Sequence, residues 1–122
     1  MKISKEDYLE AILICTKKFG ACRVTDVAAQ LGHSKASVSV ALSKLEAEGL
    51  VIKDDWRILL SDSGKAFAEK ILERHIFFLK WFEHIGIDDK TAKEDACLIE
   101  HAISDATFEK ILIYLKKLDK EL

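Results

Sequence analysis

Six residues of this chain stand out as candidate ligands for a divalent transition metal, and they fall into three groups. Cys97, Glu100 and His101 stand at i, i+3 and i+4, so on a helix they would share one face. Together they offer a thiolate, a carboxylate and an imidazole, each a metal ligand once deprotonated. Asp7 and Glu10, at i and i+3, place two carboxylates on one face of a first helix. His75 stands in a long helical pattern beside apolar Phe78, Leu79 and Phe82. If the three helices converge, the six groups form a cage for a divalent cation. Each residue also has a plainer reading. Asp7 can cap the first helix, Glu10 can be a solvated position, and His75 can be a hydrogen-bonded core histidine. Cys97 can be a small buried hydrophobe. His33 and His84 read as surface residues, and Cys15 and Cys22 as packing residues.

A second chemistry lies in the segment Ser34–Glu48. Its first turns present Ser34, Lys35, Ala36, Ser37, Ser39 and Val40. Serine hydroxyls donate to or accept from base edges, and alanine or valine can touch a thymine methyl. Amides at a helix N-terminus also suit a phosphate. Lys53 and Arg57, further on, are available to a nucleic-acid backbone. The plainer reading of the same residues is a solvated helix face.

The elements that must position these groups follow from spacing. Ser4 caps a first helix with Asp7 in the capping-box position. Tyr8, Leu9, Ile12 and Leu13 repeat at helical spacing, and Gly20 ends the run. Thr25 and Gly32 bracket a short second helix, and Ser34 opens a third that Gly49 closes. Two short helices joined through Gly32 have the helix-turn-helix form. Leu50–Lys53 and Arg57–Leu60 are apolar or β-branched runs split by Asp54-Asp55-Trp56, which predicts a hairpin, or wing. A long helix is predicted from about Gly64 to Ile85, another from Asp88 to about Ile103, and a last one after Ser104. The fold class is therefore mainly α, with about six helices and one small β-hairpin. A winged helix-turn-helix domain over residues 1–72 precedes an all-helical dimerisation domain over 73–122. Leu72, Phe77, Phe78, Trp81 and Phe82, then Ile103, Phe108, Ile111, Leu112 and Leu115, are more apolar surface than one short chain readily covers. A homodimer would cover them; the alternative is that they fill the core of a monomer.

Composition bounds the function. The chain has 122 residues, 49% hydrophobic and 33% charged, no proline and five glycines. Those proportions suit a globular protein rather than a disordered one. There is no apolar run of about 18 residues to span a membrane. The first residues turn acidic at once and contain no apolar signal segment, and three cysteines without a CxxC pair argue against a disulfide framework. The cytoplasm is the expected location. The formal charge is −2, but residues 1–74 hold 12 basic against 11 acidic residues while 75–122 hold 7 against 10. The front half is thus the better candidate for a polyanion. No nucleophile stands with a base, and there is no phosphate-binding loop, dinucleotide-binding turn or zinc ribbon. A small-molecule substrate and an enzymatic activity are therefore not expected, and six protein ligands would leave a hydrolytic metal no open position.

Ser4–Leu13 (SKEDYLEAIL), Val24–Gly32 (VTDVAAQLG), Ser34–Leu45, Gly49-Leu50-Val51, Arg74-His75 and Asp95–Asp105 (DACLIEHAISD) resemble the diphtheria-toxin-repressor family over about residues 3–118. These are metal-dependent bacterial repressors, including iron and manganese regulators. The resemblance implies a short two-domain regulator that binds operator DNA as a metallated dimer. By position, Asp7, Glu10, His75, Glu100 and His101 correspond to ligands of the manganese type, whereas Cys97 matches the iron type. The implied cofactor is Fe(II) or Mn(II), the thiolate tilting the choice toward Fe(II). Leu79 and Lys93 stand where the iron type places a carboxylate and a histidine in an ancillary site. Ala36 and Val40 replace a common proline and glutamine on the recognition helix, so the operator sequence does not carry over. The alternative is a winged-helix regulator that answers another ligand or thiol oxidation, with a vestigial acidic cluster.

Overall fold

In a computed structural model, which describes residues 3–118, the chain divides into two compact units, Met1–Lys70 and Ile71–Leu122. The order is α1 (Lys5–Phe19), α2 (Val24–Leu31), α3 (Lys35–Ala47), β1 (Val51–Asp54), β2 (Arg57–Leu60), α4 (Asp62–His84), α5 (Asp89–Ile99) and α6 (Asp105–Leu118). No helix among the described residues is long and apolar enough to cross a membrane.

In the first unit, α1 starts as its sequence requires. The Ser4 hydroxyl accepts the Asp7 amide at 3.2 Å, and Asp7 Oδ2 takes the Ser4 amide at 3.0 Å, so two otherwise orphaned donors are satisfied reciprocally. α2 begins earlier than the Thr25 cap predicts. Arg23 is the N-cap, its carbonyl taking the amides of Asp26 and Val27 while Asp26 Oδ2 accepts the Arg23 amide at 2.9 Å. The acidic side chain reaching back outweighs the threonine hydroxyl. Gly32 ends α2 at φ +66, a left-handed turn that glycine enters without a Cβ penalty. The chain then re-enters a helix at Ser34, whose hydroxyl accepts the Ser37 amide. Leu9, Ile12, Val27, Val38 and Leu42 are fully buried, each contributing about 1.5–3 kcal/mol relative to exposure.

The hairpin pairs Val51 with Leu60 and Asp54 with Arg57. Its two-residue loop places Asp55 at φ +58, where a short polar side chain is tolerated. Ile58 donates to the Cys22 carbonyl at 2.8 Å, which ties the wing to the α1–α2 connection. α4 opens at Asp62, not Gly64, because Ser61 caps it through the Gly64 amide at 3.1 Å. There the helix runs against the backbone of Leu50: a Cβ on Gly64 would sit 2.0 Å from the Leu50 carbonyl oxygen.

The second unit is organised around Phe78 of α4, Ala96 of α5 and Phe108 of α6. Phe77 meets Phe78 and Phe108 edge to face, with centroids 5.3 and 5.5 Å apart, the arrangement aromatic quadrupoles favour. Trp81, Phe82, Ile103 and Leu112 pack against the same cluster. Much of the apolar stripe offered for a dimer is thus occupied within the unit itself. Among the described residues, the large apolar side chains this unit leaves exposed are Ile76, Ile85, Leu98, Ile113 and Tyr114.

Because no rotamer change can clear a backbone oxygen, Gly64→Ala is expected to destabilise the first unit by about 1–3 kcal/mol. Chemical denaturation followed by circular dichroism would measure it, and an unchanged midpoint would contradict the close approach.

Candidate functional site

The second unit carries four of the six expected ligands. α5 is shorter than the sequence predicts, ending at Ile99 rather than near Ile103. Glu100 is its C-cap, and His101 lies in the turn that follows. The cause is visible in the backbone. Ala102 donates to the Ile99 carbonyl at 3.0 Å, tightening the last turn. The carbonyls of Glu100 and Ile103 are taken by Arg74 at 3.3 and 3.1 Å. Cys97, Glu100 and His101 therefore do not lie together on one regular helix face, and they do not bring three ligand atoms within 4.8 Å of one another. Cys97 is half-buried near the end of α5.

Glu100 instead meets two imidazoles. His75 Nδ1, from α4, lies 2.8 Å from Glu100 Oε2, and His101 Nε2 lies 3.2 Å from Oε1. The Glu100 side chain is 0% exposed. The Oε1 contact falls within ion-pair distance but outside hydrogen-bond geometry, so Oε1 accepts no hydrogen bond among the described residues. A buried carboxylate oxygen without a donor is costly. Two ligands about 2.1 Å from one cation and at right angles to each other lie about 3.0 Å apart, so both contacts have the spacing of neighbouring ligands. Carboxylate and imidazole are a donor set for a divalent transition metal. On buried charge, spacing and ligand chemistry, these residues fit such an ion.

Asp7 and Glu10 belong to the first unit, on α1. Asp7 is the reciprocal partner of Ser4, so the capping role applies to it in this structure. Glu10 is half-buried. The two remaining thiols are structural. Cys15 and Cys22 are almost wholly buried; burial pushes the Cys15 thiol up and the Cys22 thiol up to about 12. A thiol so held is a poor nucleophile, because the thiolate is the reactive form.

The first unit also exposes the residues expected to meet nucleic acid. Ser34, the cap of α3, and Lys35, Ala36, Ser37, Ser39 and Val40 on it are all exposed, while Val38, Leu42 and Leu45 turn inward. Val40 is 59% exposed, an apolar group unaccounted for by packing. Ser34 and Ser37 are less free than their types suggest, since the Ser34 hydroxyl also donates to Ser37 Oγ at 3.0 Å. In the wing, Lys53 Nζ donates to Ser43 Oγ at 2.7 Å, and Arg57 pairs with Asp54. Both cations are exposed and exchangeable.

Sequence reasoning gave no role to two features. Arg23 stacks its guanidinium over Trp56 at the wing tip, 4.2 Å from the ring centroid, which the aromatic residue in a polar hairpin turn could have signalled. Arg74 was noted only as the neighbour of His75, although an arginine set among apolar helix positions is itself a sign of buried pairing.

Two family models match the chain. One is described as the iron dependent repressor N-terminal DNA binding domain, over residues 2–57. The other is the iron dependent repressor metal binding and dimerisation domain, over residues 61–121. The chain is 36% identical to an uncharacterised helix-turn-helix-type transcriptional regulator of Methanocaldococcus jannaschii, covering 96% of each chain. It is 30% identical to the transcriptional regulator MntR of Escherichia coli O157:H7, over 92% of this chain and 73% of that one. Among solved structures, the manganese regulator SloR superposes with a TM-score of 0.80 at 27% identity, over 95% of this chain. IdeR of T. acidophilum superposes with a TM-score of 0.79 at 22% identity, over 94% of this chain, a likeness of fold. The chain spans 55% of the length of each of those two structures.

In native protein at neutral pH, a thiol reagent is expected to modify Cys97 while Cys15 and Cys22 react only at the rate of unfolding. Mass spectrometry of the labelled peptides would decide it, and rapid native labelling of Cys22 would contradict the burial argument.

Proposed function

Because the chain belongs to the iron-dependent repressor family, whose members are metal-dependent DNA-binding transcriptional regulators rather than enzymes, we propose that it represses transcription by binding operator DNA as a homodimer when loaded with Fe(II) or Mn(II). The observation that carries the reading is the Glu100 carboxylate, fully buried between His75 and His101. The proposed ligands are His75, Glu100 and His101 of the second unit, with Cys97 of α5 and Asp7 and Glu10 of α1 added on the sequence resemblance. A bound divalent ion supplies the positive charge that offsets these carboxylates. Cys97, as a thiolate, favours Fe(II) in a set otherwise suited to Mn(II). The protein acts in the cytoplasm, takes no small-molecule substrate and needs no membrane.

The chain's own groups perform the regulation. Ser34, Lys35, Ala36, Ser37, Ser39 and Val40 address base edges and the first phosphates, and Lys53 and Arg57 of the wing address the backbone. Two copies of α3 in a dimer meet successive major grooves, about 34–36 Å apart. Ile76, Leu98, Ile113 and Tyr114 are among the exposed apolar side chains the second unit can offer a second copy. Asp7 and Glu10 lie on a helix that packs on α2 and α3, so neutralising them acts on the DNA-reading unit. Metal and operator are then linked, each raising affinity for the other by the same factor.

Glu100→Ala is expected to abolish metal-stimulated operator binding while leaving the dimer folded. The wild type should gain about 5–150-fold in affinity on metal addition. Gel shifts under anaerobic Fe(II) and Mn(II), with sedimentation as the control, would measure both, and metal stimulation retained in the variant would remove Glu100 from the site.

A further inference from the structure

Arg74 is 4% exposed, and a guanidinium at that depth needs most of its donors paired; here both terminal nitrogens are paired, while Nε has no hydrogen-bond partner among the described residues. Its Nη1 donates to the carbonyls of Glu100 and Ile103, its Nη2 pairs with Asp105, and its plane lies over Phe108, 5.0 Å from the ring centroid. These partners lie along one stretch of chain. Glu100 caps α5, Ile103 is in the turn, Asp105 opens α6 and Phe108 anchors the unit's core. The two carbonyls flank His101. One side chain from α4 thus grips the backbone on both sides of a residue whose imidazole faces Glu100, while the next residue of α4, His75, faces Glu100 from the other side.

We propose that Arg74 is a positioning residue for the metal ligands Glu100 and His101. It draws the chain out of α5 after Ile99 and fixes the turn so that the carboxylate and imidazole already face His75 before a cation arrives. The inference rests on the metal-site reading above. A turn held in advance leaves less chain entropy to be lost on binding, and outer partners that orient metal ligands typically change affinity by about 10–100-fold. The planar fork matters as well as the charge. Lysine would still attract Asp105, but a point ammonium cannot hold two carbonyls and a carboxylate in one plane while stacking on a ring.

Arg74→Lys and Asp105→Asn would be compared with the wild type as full-length chains. Amide hydrogen exchange at residues 100–104 would be read in metal-free protein, and Co(II) binding by visible absorption. For Arg74→Lys we expect native helical content, faster exchange confined to the turn, Co(II) affinity weakened about 10–100-fold and altered ligand-field bands. Asp105→Asn leaves the arginine in place and should move the same readouts less; it decides the matter if the lysine variant does not fold. Folded variants with wild-type Co(II) affinity and bands would overturn the positioning role alone. Wild-type protein that takes up no Co(II) would overturn the metal-site reading and this inference with it.

Discussion

The molecule depends on a carboxylate that has no reason to be buried except as a partner for charge. Removing an ionised carboxylate from water costs several kcal/mol even after relaxation. Here Glu100 is enclosed, with an imidazole at 2.8 Å on one oxygen and another at 3.2 Å on the second. A structural salt bridge would be expected to bring a permanently charged arginine or lysine to that carboxylate. The available arginine, Arg74, is directed instead to the backbone on either side of His101 and to Asp105. The strongest cation nearby is thus used to shape the turn, and the carboxylate faces two imidazoles. That division of labour suits the proposed metal centre better than an ion-pair core.

The surrounding fold serves that arrangement. The aromatic cluster of Phe77, Phe78 and Phe108 fixes α4 and α6, and Phe108 also carries the arginine plane. α4 begins in the DNA-reading unit, where Gly64 lies against Leu50, and ends beyond His75. One uninterrupted, proline-free helix therefore carries both the wing's support and His75.

Legibility from sequence followed how local each determinant is. The Ser4–Asp7 capping box, the Gly32 turn and the Ser34 cap are decided within four residues, and all three stand as read. The exposed face of α3 followed from helical periodicity. What escaped was decided by distant groups. Nothing in the run Cys97–Ile103 announces that its helix stops at Ile99, because Arg74, more than twenty residues earlier, takes the carbonyls that would have stayed exposed at the helix end. The start of α2 was misplaced because Asp26 serves the Arg23 amide as well as a threonine could have served its own turn. The dimer surface was not legible, because periodicity marks a residue as apolar without saying whether its own core or a second copy covers it.

The most direct measurement of the central claim is the X-ray absorption spectrum of protein loaded with one equivalent of Fe(II) or Mn(II). The expected spectrum has the multiple scattering of two imidazoles over a shell of oxygen ligands with one sulfur, from His75 and His101 beside the Glu100 carboxylate and the Cys97 thiolate. A spectrum with no imidazole contribution, equivalent to the hydrated ion, would contradict the account.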